Sequence, residues 1–300
     1  VLSPGIQLSV QDFGWRGFRD VGLAGAGALD RASLRIANAL VGNATDAAAL
    51  ELTWGPVRLR THVDVVVALV GMSSTLCWNA QSALSGQACA LAAGDELLVR
   101  AASSGARAVL AVAGGIEVPS VSGARATHLQ AGFGGFAGRA LKAGDRLPLG
   151  ARQGNPALGR AKLNWLYPER PLRLMRVRDE RLLSQSFRVD AASDRMGLRL
   201  LPNTPMSTAS TLEHSVAIWP GMVQLPPSGK PILLLRDCQT TGGYPVCAQL
   251  IEADLDRAAQ LRPHQQLEFE QVSLEQAIAI DSRREAAIQR LLASIADHAC

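Results

Sequence analysis

VRLRTHVDVVVALV, residues 57–70, holds two short β-type runs, 57–60 and 63–70, separated by only Thr61 and His62. Runs of the same kind follow at 96–100 and 107–112, with glycine, serine and aspartate turns between them. Such spacing favours a barrel or sandwich over a parallel sheet of βαβ units. The tripeptide Ala-Gly-Asp at 93–95 recurs at 143–145, each time one residue ahead of a leucine, so the two share turn chemistry.

Upstream of these runs, Ile6, Leu8 and Val10 alternate with polar residues and predict a first strand, followed by a glycine-dense loop over 11–27. Asp30 then reads as an N-cap. Leu34, Ile36, Ala37, Leu40 and Val41 recur at helical spacing until Gly42 and Asn43 stop the run. Downstream, residues 151–171 are rich in Arg, Gly, Asn and Pro without apolar periodicity, as a linker would be. Strands are expected beyond it at 172–177, 211–218, 232–235 and 267–269, then an amphipathic helix over 273–296 opened by a Ser273/Gln276 capping box. The expected organisation is a first β-barrel domain over 1–155, a linker over 156–171 and a second barrel with a C-terminal helix over 172–300.

The 300 residues suffice for two such cores, and 48% apolar with 19% charged residues excludes disorder and fibrous repeats. The net charge of +4 is scattered, so no stripe marks a nucleic-acid or membrane partner. Five cysteines without a C-x-x-C pair do not suggest a disulfide framework, and a reducing cytoplasm is the expected compartment. The longest strongly apolar run, 65–70, falls far short of the roughly 20 residues that span a bilayer, and the first residues lack a signal-peptide core.

Several catalytic signatures are missing. Lys230 is followed by Pro231, and no G-x-x-x-x-G-K-[ST] phosphate loop exists. His62, His128, His214, His264 and His298 form no zinc-ligand spacing, so no metal site is expected. GFGGFA at 132–137 matches G-x-G-x-x-A only in letters, because no βαβ pattern surrounds it, and no G-x-S-x-G elbow is present.

Three polar loops could carry chemistry. DCQTTGGYP at 237–245 follows an apolar run and offers Gln239, Thr240 and Thr241 as neutral donors and acceptors. Gly242 and Gly243 would let its backbone approach an anion, Tyr244 flanks it, and Asp237 could act as an acid or base. The competing reading is a hairpin turn. SDRMG at 193–197 places Asp194 beside Arg195, whose fork suits a carboxylate or phosphate, or else ties down a turn. The N-terminal loop supplies Gln11, Asp12, Gly14, Arg16 and Arg19, as a site or as bracing. The glycine-rich pieces at 114–116 and 132–135 read as close backbone packing.

Taken in order, VQDFGWRGFRD (10–20), GALD (27–30), ANALVGN (37–43), AALELT (48–53), AVAGGIEVP (111–119), AGFGG (131–135), SDRMGLRL (193–200) and DCQTTGGYP (237–245) resemble the biotin-dependent carboxyltransferase, or allophanate-hydrolase-subunit-2, family. The resemblance implies a mainly β fold of two tandem cyclophilin-like β-barrels with a few helices. It implies work in an ATP-dependent 5-oxoprolinase, beside an A subunit of the LamB/YcsF type and a B subunit of the KipI type, with ATP and Mg bound in the complex. Its alternatives are a carboxyltransferase component that uses biotin held by another protein, and a regulatory protein that sequesters a KipI-like partner. The polar positions matched are Gln11, Asp12, Asp30, Asn38, Asn43, Glu51, Ser193, Asp194, Arg195, Gln239, Thr240 and Thr241. Departures are Trp15 where arginine is usual, Val246 where a basic residue is common, and His264-Gln265 in place of Gly-Asp. The combined expectation is that Asp237, Asp194 and Asp12 are catalytic. Arg195, Gln239, Thr240, Thr241, Gly242, Gly243, Tyr244, Gln11 and Arg16 are expected to bind substrate or anion.

Overall fold

The computed structural model describes residues 1–157, 160–206 and 214–299. Contacts divide the chain into unit 1, Val1–Trp15, Asp30–Leu166 and Ala287–Cys300, and unit 2, Arg16–Leu29 and Tyr167–Ala286. The serial division at 156–171 is therefore modified. Residues 16–29 group with unit 2 because its arginines bind their carbonyls: Arg195 donates to Gly27 O (2.6 Å) and Arg236 to Leu29 O (3.3 Å).

In unit 1 the opening stretch forms strand Val57–Arg60 and the first part of strand Val65–Ser73. A five-stranded antiparallel sheet runs Gln7–Gln11, Ala49–Thr53, Ser104–Val112, Val65–Ser73, Ala88–Leu91. A four-stranded antiparallel sheet runs Val57–Arg60, Glu96–Val99, Thr75–Trp78, Gln81–Leu84. Period-two alternation sends Leu8, Val10, Leu50, Leu52, Leu69 and Leu110 of the first sheet into one core with Val57, Leu76, Leu97 and Val99 of the second. Each such buried side chain contributes about 1.5–3 kcal/mol. Residues 106–112 are buried on both faces, because the helix Arg31–Leu40, α1, covers the outer one. Asp30 caps α1 as expected, accepting from Ser33 N at 2.9 Å.

The two Ala-Gly-Asp turns share one hydrogen bond: Asp95 accepts from Ala92 N (2.9 Å) and Asp145 from Lys142 N (2.7 Å). Only the first leads into a strand, Glu96–Val99; after the second, Leu149 makes an isolated bridge to Ile116. Of the glycines at 132–135, Gly134 and Gly135 pack closely. A Cβ on Gly135 would lie 1.9 Å from Thr127 Oγ1, which donates to Val10 O at 2.9 Å. Gly135→Ala must displace Thr127 and adopt a left-handed φ, and is expected to cost on the order of 3 kcal/mol in a denaturant melt. Gly132→Ala, also left-handed but facing open space, is expected to cost about 1 kcal/mol.

Unit 2 is a nearly closed barrel of eight strands. Their order is Gln266–Leu267, Phe187–Val189, Gly197–Pro202, Ile232–Leu234, Met222–Gln224, Val246–Leu250, Leu172–Met175, Phe269–Gln271. The first and last are separated in sequence by Glu268 alone, which brings the two ends of the sheet together. Phe187, Val189, Leu198, Leu200, Leu233, Leu250 and Phe269 fill it, with the rings of Phe187 and Phe269 5.5 Å apart. Of the expected strand 211–218, residues 211–213 lie outside the described residues, and Val216–Ala217 forms a two-residue strand.

The helix Glu252–Ala259, α2, was not expected from sequence. The helix Leu274–Asp297, α3, was, and its capping box forms: Gln276 N donates to Ser273 Oγ (3.2 Å) and Ser273 N to Gln276 Oε1 (2.8 Å). None of the described helices is long and apolar enough to cross a membrane.

Candidate functional site

The loop 237–245 does not make a hairpin. Strand Ile232–Leu234 before it and strand Val246–Leu250 after it are not neighbours; Met222–Gln224 lies between them and pairs with both. The loop therefore arches over the end of that middle strand. Neither Gly242 nor Gly243 has positive φ. A Cβ on Gly242 would sit 2.6 Å from Gln224 Nε2, and Gln224 Nε2 donates to Tyr244 O at 3.4 Å. Close approach to the ends of the Gln224 and Ile218 side chains favours glycine at 242, whereas a Cβ on Gly243 would meet only Ser215 Oγ at 3.9 Å.

The near side of the arch is zipped to residues 216–218. Ala217 pairs with Thr241, Val216 with Gly242, and Ile218 N donates to Thr240 O at 3.0 Å. Arg19 clamps the same place, donating to Ile218 O (2.6 Å) and Gln239 O (2.8 Å), with its guanidinium 5.6 Å from the centre of the Trp219 ring. What remains outward is a polar crest, exposed Gln239 and Thr241 with half-buried Thr240, whose side chains make no hydrogen bond among the described residues. Beside it stand the exposed apolar side chains of Val216, Trp219 and Tyr244.

At the foot of the loop, Pro245, Val246 and Cys247 join Val216, Leu225, Arg178, Asp179 and Arg181 around a pocket of about 370 Å³. Arg181 binds Asp179 in a fork (2.9 and 2.7 Å), which holds that carboxyl below the usual carboxylate range. Arg178 is exposed and its guanidinium has no hydrogen-bond partner among the described residues. Burial pushes the Cys247 and Cys238 thiols up to about 11, so neither is a thiolate at neutral pH.

Asp237 and Arg195, expected to meet substrate, meet each other. Arg195 Nε donates to Asp237 Oδ2 at 2.8 Å and Nη2 to Oδ1 at 3.0 Å, with the residues 4% and 3% exposed. A carboxylate with both oxygens on a buried guanidinium is a poor general base, and a fork so engaged cannot receive a substrate anion. The pair instead fastens three segments, since Arg195 also holds Gly27 O. Asp194 is exposed and accepts from Met196 N (2.8 Å) and Gly197 N (3.3 Å), a local turn; Ser193 accepts from Arg199 N at 3.0 Å. Arg16 is exposed in unit 2.

Gln11 and Asp12 belong to unit 1. Asp12 braces a loop, accepting from Gly14 N (2.7 Å) and Arg125 N (2.5 Å). Asn38 and Asn43 do likewise at the end of α1, with Asn38 donating to Ala47 O and Asn43 to Val112 O, each at 2.8 Å. Gln11 lies in a buried polar cluster that sequence reading did not assemble. On the face of the five-stranded sheet opposite the core, register brings Ser9, Gln11, Glu51, Thr53 and Arg107 together. Arg107 Nη1 lies 2.8 Å from Thr53 Oγ1 and 3.8 Å from Glu51 Oε1; Gln11 donates to Ser9 Oγ (3.1 Å) and Thr127 O (3.0 Å). Its Oε1 is buried without a hydrogen-bond donor. The signal for this cluster was present as polar residues at alternate positions of otherwise apolar strands. Among the described residues no group of three or more His, Cys, Asp or Glu could hold a metal ion.

The chain belongs to the carboxyltransferase domain family, whose subdomains A and B match residues 21–271. It is 39% identical over 286 residues to the C subunit of 5-oxoprolinase from Escherichia coli, across 93% of this chain and 92% of that protein. To the C subunit of 5-oxoprolinase from Haemophilus influenzae it is 32% identical over 293 residues, across 95% of this chain and 94% of that protein. The crystal structure of Kluyveromyces lactis urea carboxylase matches 97% of this chain with a TM-score of 0.87 and 26% identity, although the chain spans only 29% of that chain.

Proposed function

We propose that this chain is the C subunit of a 5-oxoprolinase. In this reading it works with an A subunit of the LamB/YcsF type and a B subunit of the KipI type to open the lactam of 5-oxoproline to glutamate, with hydrolysis of ATP. The observation that carries the reading is end-to-end similarity to two proteins bearing that name, against a likeness to urea carboxylase that spans 29% of the larger chain.

Phosphorylation of the amide oxygen makes the ring carbon electrophilic toward water. The water adduct then breaks its C–N bond, the ring nitrogen taking a proton and leaving as the amine, and a second water hydrolyses the resulting acyl phosphate to glutamate and phosphate. The chain's contribution would be recognition and placement. Gln239, Thr240 and Thr241 offer neutral donors and acceptors to a small polar substrate, and Val216, Trp219 and Tyr244 offer the apolar surface on which a partner protein can close. In this reading ATP, with Mg, is bound within the assembled complex.

The test is reconstitution. ATP-dependent glutamate release is expected only when all three subunits are mixed, and its absence from the complete mixture would overturn the proposal. Gln239→Ala with Thr241→Ala is expected to lower turnover at least about tenfold with an unchanged melting temperature, the loss of one or two substrate hydrogen bonds. A second reading, carboxyl transfer from biotin on another protein, is favoured by the TM-score of 0.87 to urea carboxylase. It predicts transfer of label from carboxybiotin with no requirement for the A and B subunits.

A further inference from the structure

The core of unit 1 is open at one end. Between its two sheets, beside the turn at 60–65 and the segment at 145–152, lies a cavity of about 460 Å³, within the range of small-molecule sites. Its interior is lined by Leu50, Val67, Leu97, Leu110 and Val112. A space walled in this way gives water no hydrogen-bond partners, and protein cores otherwise leave few voids larger than a water molecule.

The rim is charged, and its charges are unevenly committed. Both rim carboxylates have donors: Asp64 accepts from Ala93 N at 2.8 Å, and Asp145 holds Arg139 through two bonds of 2.7 and 2.9 Å. Arg60 is paired with Glu96. Arg146 and Arg152, also on the rim, have no hydrogen bond or ion pair among the described residues. The balance of uncommitted charge at the opening is positive.

We propose that unit 1 binds a small amphiphilic carboxylate, its apolar tail between the two sheets and its head on Arg146 and Arg152. The loop 237–245 plays no part, so this inference is independent of the oxoprolinase reading and is tested by binding rather than turnover. Calorimetric titration of the full chain with octanoate is expected to show saturable one-to-one binding, and octan-1-ol to bind about tenfold more weakly for lack of the charge-assisted contacts. The double variant Arg146→Ala/Arg152→Ala, two exposed positions, is expected to weaken octanoate about tenfold and leave octan-1-ol unchanged. Leu147→Trp, at a partly buried lining position, is expected to block both. No saturable octanoate binding, equal affinity for the two ligands, or binding indifferent to both variants would each overturn the proposal.

Discussion

Asp254→Ala is expected to destabilise unit 2 by about 3–5 kcal/mol, seen as a fall on the order of 10 °C in its melting temperature. Asp254 is fully buried in α2 and holds Arg173 through three hydrogen bonds, from Nε (2.9 Å), Nη2 (2.6 Å) and the backbone N (2.8 Å). Arg257, one turn along α2, adds a fourth at 2.9 Å. Removing the carboxylate leaves two mostly buried guanidinium groups without their counterion, the costly way to break a buried ion pair. Burial pushes the Asp254 carboxyl up, but the bonds from Arg173 and the charge of Arg257 outweigh it and hold the carboxyl below its ordinary value. A carboxyl depressed in the folded state contributes stability that is complete above the unfolded value, about 3.9, and is lost as pH falls through the folded value. Wild type should therefore lose stability below about pH 4, and the variant should show a shallower acid dependence over that window. A variant as stable as wild type would show that the network contributes nothing.

Asp237→Asn and Arg195→Ala are expected to reduce turnover of the reconstituted complex only as far as they destabilise unit 2, by about 3–5 kcal/mol for the arginine variant. Arg195→Ala leaves a carboxylate that is 3% exposed and also detaches Gly27 O, so the loops at 193–197 and 237–245 lose their common anchor. The double variant Arg195→Met/Asp237→Leu is expected to recover much of the lost stability, since an apolar pair of similar volume has no charge to strand. Recovery of turnover along with stability would mark the pair as a structural anchor. Turnover abolished in a fully stable Asp237→Asn would instead return Asp237 to the chemistry.

The legible parts of the fold were those whose signals are local. Asp30 and Ser273/Gln276 lie within three residues of the amides they cap, so both α1 and α3 could be read from the sequence. The missing helix, α2, lacks a local signal. Its N-cap is Ile251, without a side-chain bond, and the acceptor for Ala253 N is Asp281 of α3 at 2.7 Å. Its buried positions include Asp254, Asp256 and Arg257, so ion pairing disguised the face that a hydrophobic pattern would have revealed. The site divides the same way. Two polar loops at 193–197 and 237–245 were visible, but that their charges neutralise each other depends on a sheet register in which Gly197 pairs with Leu234. The cluster of Ser9, Glu51 and Arg107 likewise exists only once three strands are aligned.

The ring of unit 2 has a consequence for synthesis. Strand Leu172–Met175 takes Phe269–Gln271 as its parallel partner, so on a ribosome it waits with an open edge until residues 269–271 have emerged. The carbonyls of Gly27 and Leu29 wait as well, for Arg195 and Arg236. Nascent chains halted before residue 266 should be the species that chaperones hold and proteases remove, and a fragment of 167–286 expressed without 16–29 should behave like them.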